Sequence, residues 1–243
     1  MNNMKQDLTV VIPTLMLYKQ GVDYLKGYFK NKNYKLIIVD NSRKNLGFAK
    51  AVNSVISDRW PVASKWLLIL NDDIKFYDDS SLEELIREAE KRKLDALSPT
   101  LINPNGRKEN IAYKVLPHGA IGVGIIENND YDGLTAACLL IKTAVFKKMK
   151  GFDEKFFCSL EDVEFFLRFK KSGYKMGVSE TKAFHNHMTT TSKMGSFKTR
   201  QDMINWWRLY FKHPDVFVFD LKFVVERLRN LSGFMKAIIK NSN

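Results

Sequence analysis

Apolar residues in the first hundred positions cluster in short, β-branched runs, each halted by polar residues. Leu8 to Ile12 is closed by Pro13 and Thr14, Leu36 to Val39 ends on Asp40, Asn41 and Ser42, and Trp66 to Leu70 ends on Asn71, Asp72 and Asp73. Continuous apolar runs of this length predict three buried parallel strands. Between them, residues 18–30 and 47–57 carry apolar positions at helical spacing, among them Phe48, Ala51, Val52, Val55 and Ile56. A third helix is predicted over residues 82–93, with Ser80 and Ser81 as its cap and Glu83 and Glu84 in the first turn, where the helix dipole favours acids. Strand and helix in alternation predict an α/β fold, a sheet covered by helices on its faces. Such sheets bind ligands beyond the carboxyl ends of their strands, where Asp40 and the Asn71-Asp72-Asp73 turn fall.

The second half carries a different pattern. An apolar run ending in Ile141 leads into an amphipathic stretch, a Gly151-Phe152-Asp153 turn and the pair Glu161-Asp162. That pair opens a helical segment for which Ser159 is the expected cap. His185 and His187 follow, one residue apart, so on an extended segment they point the same way. Residues 103–132 are rich in Gly, Asn and Pro and show no period, which predicts a loop. In the tail, Phe217, Leu221, Val224, Leu228, Leu231, Met235 and Ile238 recur at spacings of four and three. This is one apolar stripe on a helix. Three readings fit it: packing on the main body, self-association, or docking on an anionic membrane. The expected division is a catalytic domain over 1–195, with halves of about 1–100 and 101–195, and a helical extension over 196–243.

Composition narrows the class. The chain has 243 residues, 45% hydrophobic and 27% charged, ordinary values for a folded protein with a full core. Two cysteines, Cys138 and Cys158, are too few for a disulfide framework or a zinc site. A reduced, cytoplasmic setting is expected, and at the inner face of the cell membrane if the tail docks there. The N-terminal residues are polar, which predicts no signal peptide, and no run approaches the roughly 20 apolar residues of a spanning helix. The net charge of +12 favours an anionic partner or reflects a lysine-rich surface.

The acids carry the candidate chemistry. Adjacent carboxylates at a strand end repel each other unless a cation or hydrogen-bond donor joins them. A divalent metal holding a diphosphate would satisfy Asp72 and Asp73, since hard cations take one or two carboxylates and complete their shell with phosphate and water oxygens. A solvated acidic turn is the structural alternative for this pair, as an acidic helix start is for Glu161-Asp162. Cys138 reads as a small buried hydrophobe.

Taken in order, the segments VVIPT (10–14), LIIVDNS (36–42), NLGFAKAVNSVI (45–56), LLILNDDI (67–74), AACLLIKTAVFKKMKGFDEKFF (136–157) and EDVEFFLRFKKSGY (161–174) resemble the inverting nucleotide-sugar glycosyltransferases of family 2, with the GT-A fold, in the rhamnosyltransferase-like group of bacterial surface-polysaccharide assembly. The resemblance implies a Rossmann-like nucleotide-binding half with a mixed central sheet. It also implies roles. Thr14 and Asp40 would contact the nucleoside, Asp40 accepting a pyrimidine N3 hydrogen, which favours UDP- or dTDP-sugars. Asn45 and Gly47 would form the loop beside the nucleotide. Asp73 would bind Mg²⁺ or Mn²⁺, with Asp72 near the donor sugar and Asn71 in place of the family's first acid. Either His185 or His187 would complete the metal site. Asp162 would be the general base that takes the acceptor proton. Glu161 would orient the acceptor, a glycan or lipid-linked saccharide, and Asp132 would join it in binding the acceptor while approaching the donor sugar. Trp206 and Trp207 replace the first two positions of the family's Arg-Asn-Arg helix, leaving Arg208 as its match.

Two other classes compete. A catalytically inactive nucleotide-sugar-binding or scaffolding protein would tolerate the loss of Asp162, which is present. A nucleic-acid-binding protein would explain the charge, yet the basic residues are scattered and no binding motif accompanies them, so no nucleic acid is expected.

Overall fold

The computed structural model describes residues 7–56, 62–109, 111–122, 130–186 and 195–242. The three expected strands are β1 (Leu8–Thr14), β2 (Lys35–Asp40) and β3 (Trp66–Leu70). Both β2 and β3 pair in parallel with β1, with Thr14 opposite Asp40. The helices between them are α1 (Lys19–Lys30) and α2 (Phe48–Asn53), the latter tightening into a 3₁₀ turn over Ser54–Ile56. The alternation within β1 sends Val10 and Ile12 to one core and Val11 to the other. One core is completed by Leu25 and Phe29 of α1, the other by Ala49 and Val52 of α2.

The chain continues through β4 (Ile74–Phe76), α3 (Ser81–Lys91), β5 (Ala96–Ile102), β6 (Ala112–Leu116), β7 (Ala120–Gly122), β8 (Gly133–Leu134) and β9 (Cys138–Lys142). The later elements are α4 (Thr143–Lys148), α5 (Glu161–Lys171), β10 (Met176–His185), α6 (Gly195–Lys212) and α7 (Leu221–Ser242). Seven strands form one mixed sheet in the order β2-β1-β3-β9-β5-β10-β4, and β7-β6-β8 form a small second sheet. The apolar run ending at Ile141 is β9, inserted antiparallel between β3 and β5. The aromatic face of α5, Phe165, Phe166 and Phe169, packs on the sheet beneath it.

Several expectations are corrected. The β2 strand lies at the sheet edge and is only partly buried, because one flank has no strand to cover it. Residues 103–132, expected as a loop, contain two strands of the small sheet; segments of three to five residues are too short to show a period. Ser80 occupies the N-cap position of α3 as expected, but its side chain bonds no helix N–H; Asp78 Oδ1 instead accepts the backbone N–H groups of Ser80 (2.9 Å) and Ser81 (2.8 Å). Ser159 does not cap α5. Ser159 and Leu160 both have positive φ, 64° and 65°, so the chain turns sharply into the helix at Glu161. The tail helix begins at Leu221 after an Asp220 cap, and Phe217 lies ahead of it, buried against Trp206.

Candidate active site

A cleft of about 580 Å³ opens at the carboxyl ends of β1 and β3. Its walls include Thr14, Asn45, Gly47, Asp72 and Asp73 from the first half, with Ala136, Glu161, Asp162 and His185 from the second. The volume lies within the range of ordinary small-molecule sites. Of the residues singled out in the sequence, these share one cavity. Asp40 stands beside Thr14 at the end of β2, outside the lining itself. His187 lies outside the described residues.

The donor side is fixed by local turns. Asn71 N–H donates to Ala137 O at 2.9 Å, tying the acidic turn to the β8–β9 connection. Thr14 Oγ1 donates to Asp72 Oδ2 at 2.5 Å. Burial raises the Asp72 carboxyl above its ordinary range, the Thr14 bond pulls it down, and the neighbouring Asp73 charge raises it again. Gly21 of α1 sits so close that a β-carbon there would strike the Asp72 carbonyl oxygen, so only glycine lets this helix approach the turn. Gly47, at φ 82°, is similarly required: a β-carbon would meet the Phe157 carbonyl, which accepts the Phe48 N–H at 3.0 Å. Asn41 and Asn45 brace the same loop, with Asn41 Oδ1 accepting Leu46 N–H and Asn45 Oδ1 accepting Gly47 N–H, both at 2.9 Å. Asp40 Oδ1 accepts both the hydroxyl and the backbone N–H of Ser42, which hold its carboxyl below the usual range and therefore ionised.

His185 closes β10 with Nε2 at 3.4 Å from Asp73 Oδ1 and Nδ1 at 2.9 Å from Glu109 Oε2. Burial alone would lower its pKa, but the hydrogen bonds to Asp73 and Glu109 outweigh it and raise it to about 9. Among the described residues, no group of three or more His, Cys, Asp or Glu side chains is arranged to hold a metal ion. A carboxylate and an imidazole side by side do suit Mg²⁺ or Mn²⁺. Such ions commonly take one or two protein ligands and fill the rest of their shell from phosphates and water. Asp73 would supply the carboxylate, and His185 would ligate through Nε2 once an arriving cation displaces the proton that Asp73 and Glu109 hold on the ring.

On the acceptor side, the N-terminus of α5 presents Glu161 and Asp162. Part of each residue still faces the cleft, but both carboxyls are enclosed by protein. Burial raises Asp162, to about 6, against backbone N–H groups of Val163 and Ala136 that lower it. Burial and then the Asp162 charge raise Glu161 further, to about 8. Among the described residues, Glu161 Oε2 has no hydrogen-bond partner. The two carboxyls titrate as a pair, both raised by burial, and near neutral pH they hold about one proton between them.

The linkage has a definite sign. An acid whose folded pKa is raised favours the folded state while protonated, and that stability is lost as pH rises from the ordinary carboxyl range toward the raised value. Glu161→Gln, which cannot ionise, is therefore expected to melt higher than the wild type. The gain should grow between pH 5 and 8, reaching at least about 1 kcal/mol after allowance for partial exposure, or about 2–4 °C. Thermal melts across that range check it, and a pH-independent difference would refute the assignment.

Lys198 and Asp202, one turn apart on α6, line the cavity and pair at 2.7 Å. The sequence offers Lys198, with Lys193 and Arg200, as a phosphate partner on a loop closing over the diphosphate; residues 195–200 are instead the start of α6, and Lys193 lies outside the described residues. Asp202 carries no signal in the sequence, its i,i+4 spacing being ordinary for a solvated helix face. Tyr113 of β6 is buried near Asp162, Glu161 and Asp132, and burial followed by those charges pushes its hydroxyl well above the usual range. Asp132, expected near the donor sugar, is outside the lining: Oδ1 pairs with Lys170 at 2.6 Å and Oδ2 accepts Val115 N–H at 2.8 Å. Arg208 is likewise committed to protein, donating to Lys155 O and, at 2.8 Å, to Asn205 Oδ1. Cys138 is fully buried and its thiol pushed up by burial, as expected of a small hydrophobe.

A mixed α/β sheet with helices on both faces and a cleft at the carboxyl ends of β1 and β3 is the GT-A architecture of glycosyltransferases. The fold is shared with a mannosyltransferase, PcManGT of Pyrobaculum calidifontis, solved with GDP-Man and Mn²⁺, at TM-score 0.54 and 10% identity over 97% of this chain and 75% of that one. No family model matches the chain. It is similar to the O-antigen biosynthesis protein RfbC of Myxococcus xanthus, 29% identical over 136 residues, or 49% of this chain and 11% of that protein. It is also similar to an N-acetylglucosaminyl-diphospho-decaprenol L-rhamnosyltransferase of Mycobacterium tuberculosis, 23% identical over 180 residues, or 61% of this chain and 58% of that protein. The chain thus spans less than two thirds of either curated relative. The chain is thus similar, over part of their length, to an O-antigen biosynthesis protein and an L-rhamnosyltransferase, and it shares its fold with a glycosyltransferase.

Proposed function

We propose that the chain is an inverting, metal-dependent glycosyltransferase that moves a sugar from a UDP- or dTDP-sugar to a hydroxyl of a glycan or lipid-linked saccharide in cell-surface polysaccharide assembly. The observation that carries this reading is the meeting, in one cleft, of the Asp72-Asp73 turn with an enclosed carboxylate at the start of α5. Asp40, ionised at the rim, accepts the N3 hydrogen of a pyrimidine base. Gly47 and Asn45 shape the backbone that lies against the nucleotide. Asp73 and His185 would hold the metal, which when bound would neutralise charge developing on the departing diphosphate. Asp162 takes the proton of the acceptor hydroxyl as its oxygen attacks the anomeric carbon and the bond to the diphosphate breaks. One carboxylate in that position serves a single displacement with inversion. Glu161 orients the acceptor.

Thermal stabilisation by UDP, dTDP and GDP, with and without Mn²⁺, tests the donor side. A free ligand at about 100 times its Kd adds about 2.7 kcal/mol, or roughly 5–11 °C. UDP or dTDP with Mn²⁺ should shift the melting point, GDP less, and Asp73→Ala should remove the metal-dependent part. No shift with any nucleotide, or an undiminished metal effect in Asp73→Ala, would refute the site.

A further inference from the structure

The apolar stripe of α7 faces outward. The helix packs on α6 through Phe223, fully buried, and Arg227, whose guanidinium lies 4.8 Å from the Trp206 ring centroid. The stripe residues are exposed, Leu221 by 79%, Leu228 by 58% and Met235 by 50%, with Val224, Leu231 and Ile238 beside them, which removes packing on the main body from the three readings. At about 100° per residue, and with Val225 and Ile239 included, the apolar arc spans about 140°. It exceeds the narrow seam of a two-stranded coil. Ahead of the helix, Phe219 packs on Phe223 and exposes 60% of its surface, and Phe211 at the end of α6 exposes 74%. A solvent-facing apolar surface this continuous marks an interaction site.

Charge indicates what covers it. Lys222, Arg229 and Lys236 recur every seven residues and line the edge of the arc away from the buried face. The helix has one acid, Glu226, which pairs with Arg229. Two copies joined through the stripe would bring basic rows together with no acidic row to match them. An anionic bilayer matches both parts of the face, taking the aliphatic and aromatic side chains into its acyl boundary and the lysines at its phosphates. Among the described residues no helix is long and apolar enough to cross a membrane, so α7 would lie in the interface plane. We propose that α7, with Phe211 and Phe219, is an amphipathic docking surface for anionic lipid membranes. The surface is joined to the cleft by a single helix: Lys198 lines the cleft near the start of α6, and Phe211 lies thirteen residues on, about 20 Å away.

Co-sedimentation of the full chain with vesicles tests this. The protein should pellet with phosphatidylcholine vesicles containing phosphatidylglycerol, much less with phosphatidylcholine alone, and binding should weaken as salt rises. The double variant Leu228→Glu with Leu231→Glu changes only exposed positions and should melt as the wild type does, yet lose vesicle binding. Lys222→Glu with Lys236→Glu should lower partitioning on anionic vesicles by at least about fivefold per lysine. Absence of binding to anionic vesicles, or binding retained by the Leu228/Leu231 variant, would overturn the proposal. So would a dimer, seen by light scattering, that the same variant dissociates, because the stripe would then belong to a second copy.

Discussion

Replacement of Asp162 by Asn is expected to lower sugar transfer by about 10²–10⁴-fold while leaving nucleotide-induced stabilisation intact. The amide keeps the size of the carboxyl and its oxygen can still accept the Val163 N–H that Oδ1 accepts at 2.8 Å, so the start of α5 holds its shape. It cannot take a proton. The pH profile supplies a second readout. In the wild type the rate should fall as pH drops through the raised Asp162 value of about 6, since the base is then protonated. Residual activity in Asp162→Asn should lose that inflection. Transfer within a few-fold of wild type would remove Asp162 as the base, and loss of donor stabilisation would make its role structural. Because the substitution removes a buried charge, the variant should melt no lower than the wild type.

Glu164→Ala is expected to cost about 3–5 kcal/mol of stability. The carboxylate is wholly buried and accepts Arg168 Nε at Oε1 and Nη2 at Oε2, both at 2.8 Å. Lys212 Nζ lies at 2.8 Å and His213 Nε2 at 3.4 Å, so this one side chain ties α5 to the end of α6. Arg168 in turn donates to Met149 O at 2.7 Å and Gly151 O at 2.9 Å, binding the turn that follows α4. Truncation leaves Arg168 without its carboxylate, while Lys212 keeps Asp153, at 2.6 Å. The melting point should fall by about 6–20 °C. Burial alone would raise the Glu164 pKa, but the bonds from His213, Arg168 and Lys212 outweigh it and hold the carboxyl at about 2. A depressed carboxyl stabilises the fold above its unfolded value and loses that contribution as pH falls through the depressed one. The gap between wild type and variant should therefore close between about pH 4.5 and 2. Melts within a degree or two of each other at pH 7 would contradict the assignment.

Glu164 shows where sequence reasoning stops. Its spacing from Asp162 correctly turns it away from the cleft, but its partners Lys212 and His213 are almost fifty residues downstream, and no local pattern announces them. The strand ends are the opposite case. Runs such as Leu67 to Leu70 are buried on both faces of the sheet, so their composition reveals both the strand and the point at which it stops, which places Asp72 and Asp73 at the cleft. The small sheet was illegible because its strands are short and half-covered, and Asp132 was misplaced because its partner Lys170 comes from another element.

By itself, the sequence determined the α/β class, the order of the first strands and helices, and most of the acids around the cleft, because periodicity and turn chemistry are local properties of the chain. Only the tertiary structure decided that burial raises both Glu161 and Asp162, that Glu109 braces His185, that Asp202 of α6 joins the cavity, and that the tail stripe faces outward. Desolvation, ion pairing and exposure depend on what the rest of the chain brings alongside, and a one-dimensional pattern does not contain that.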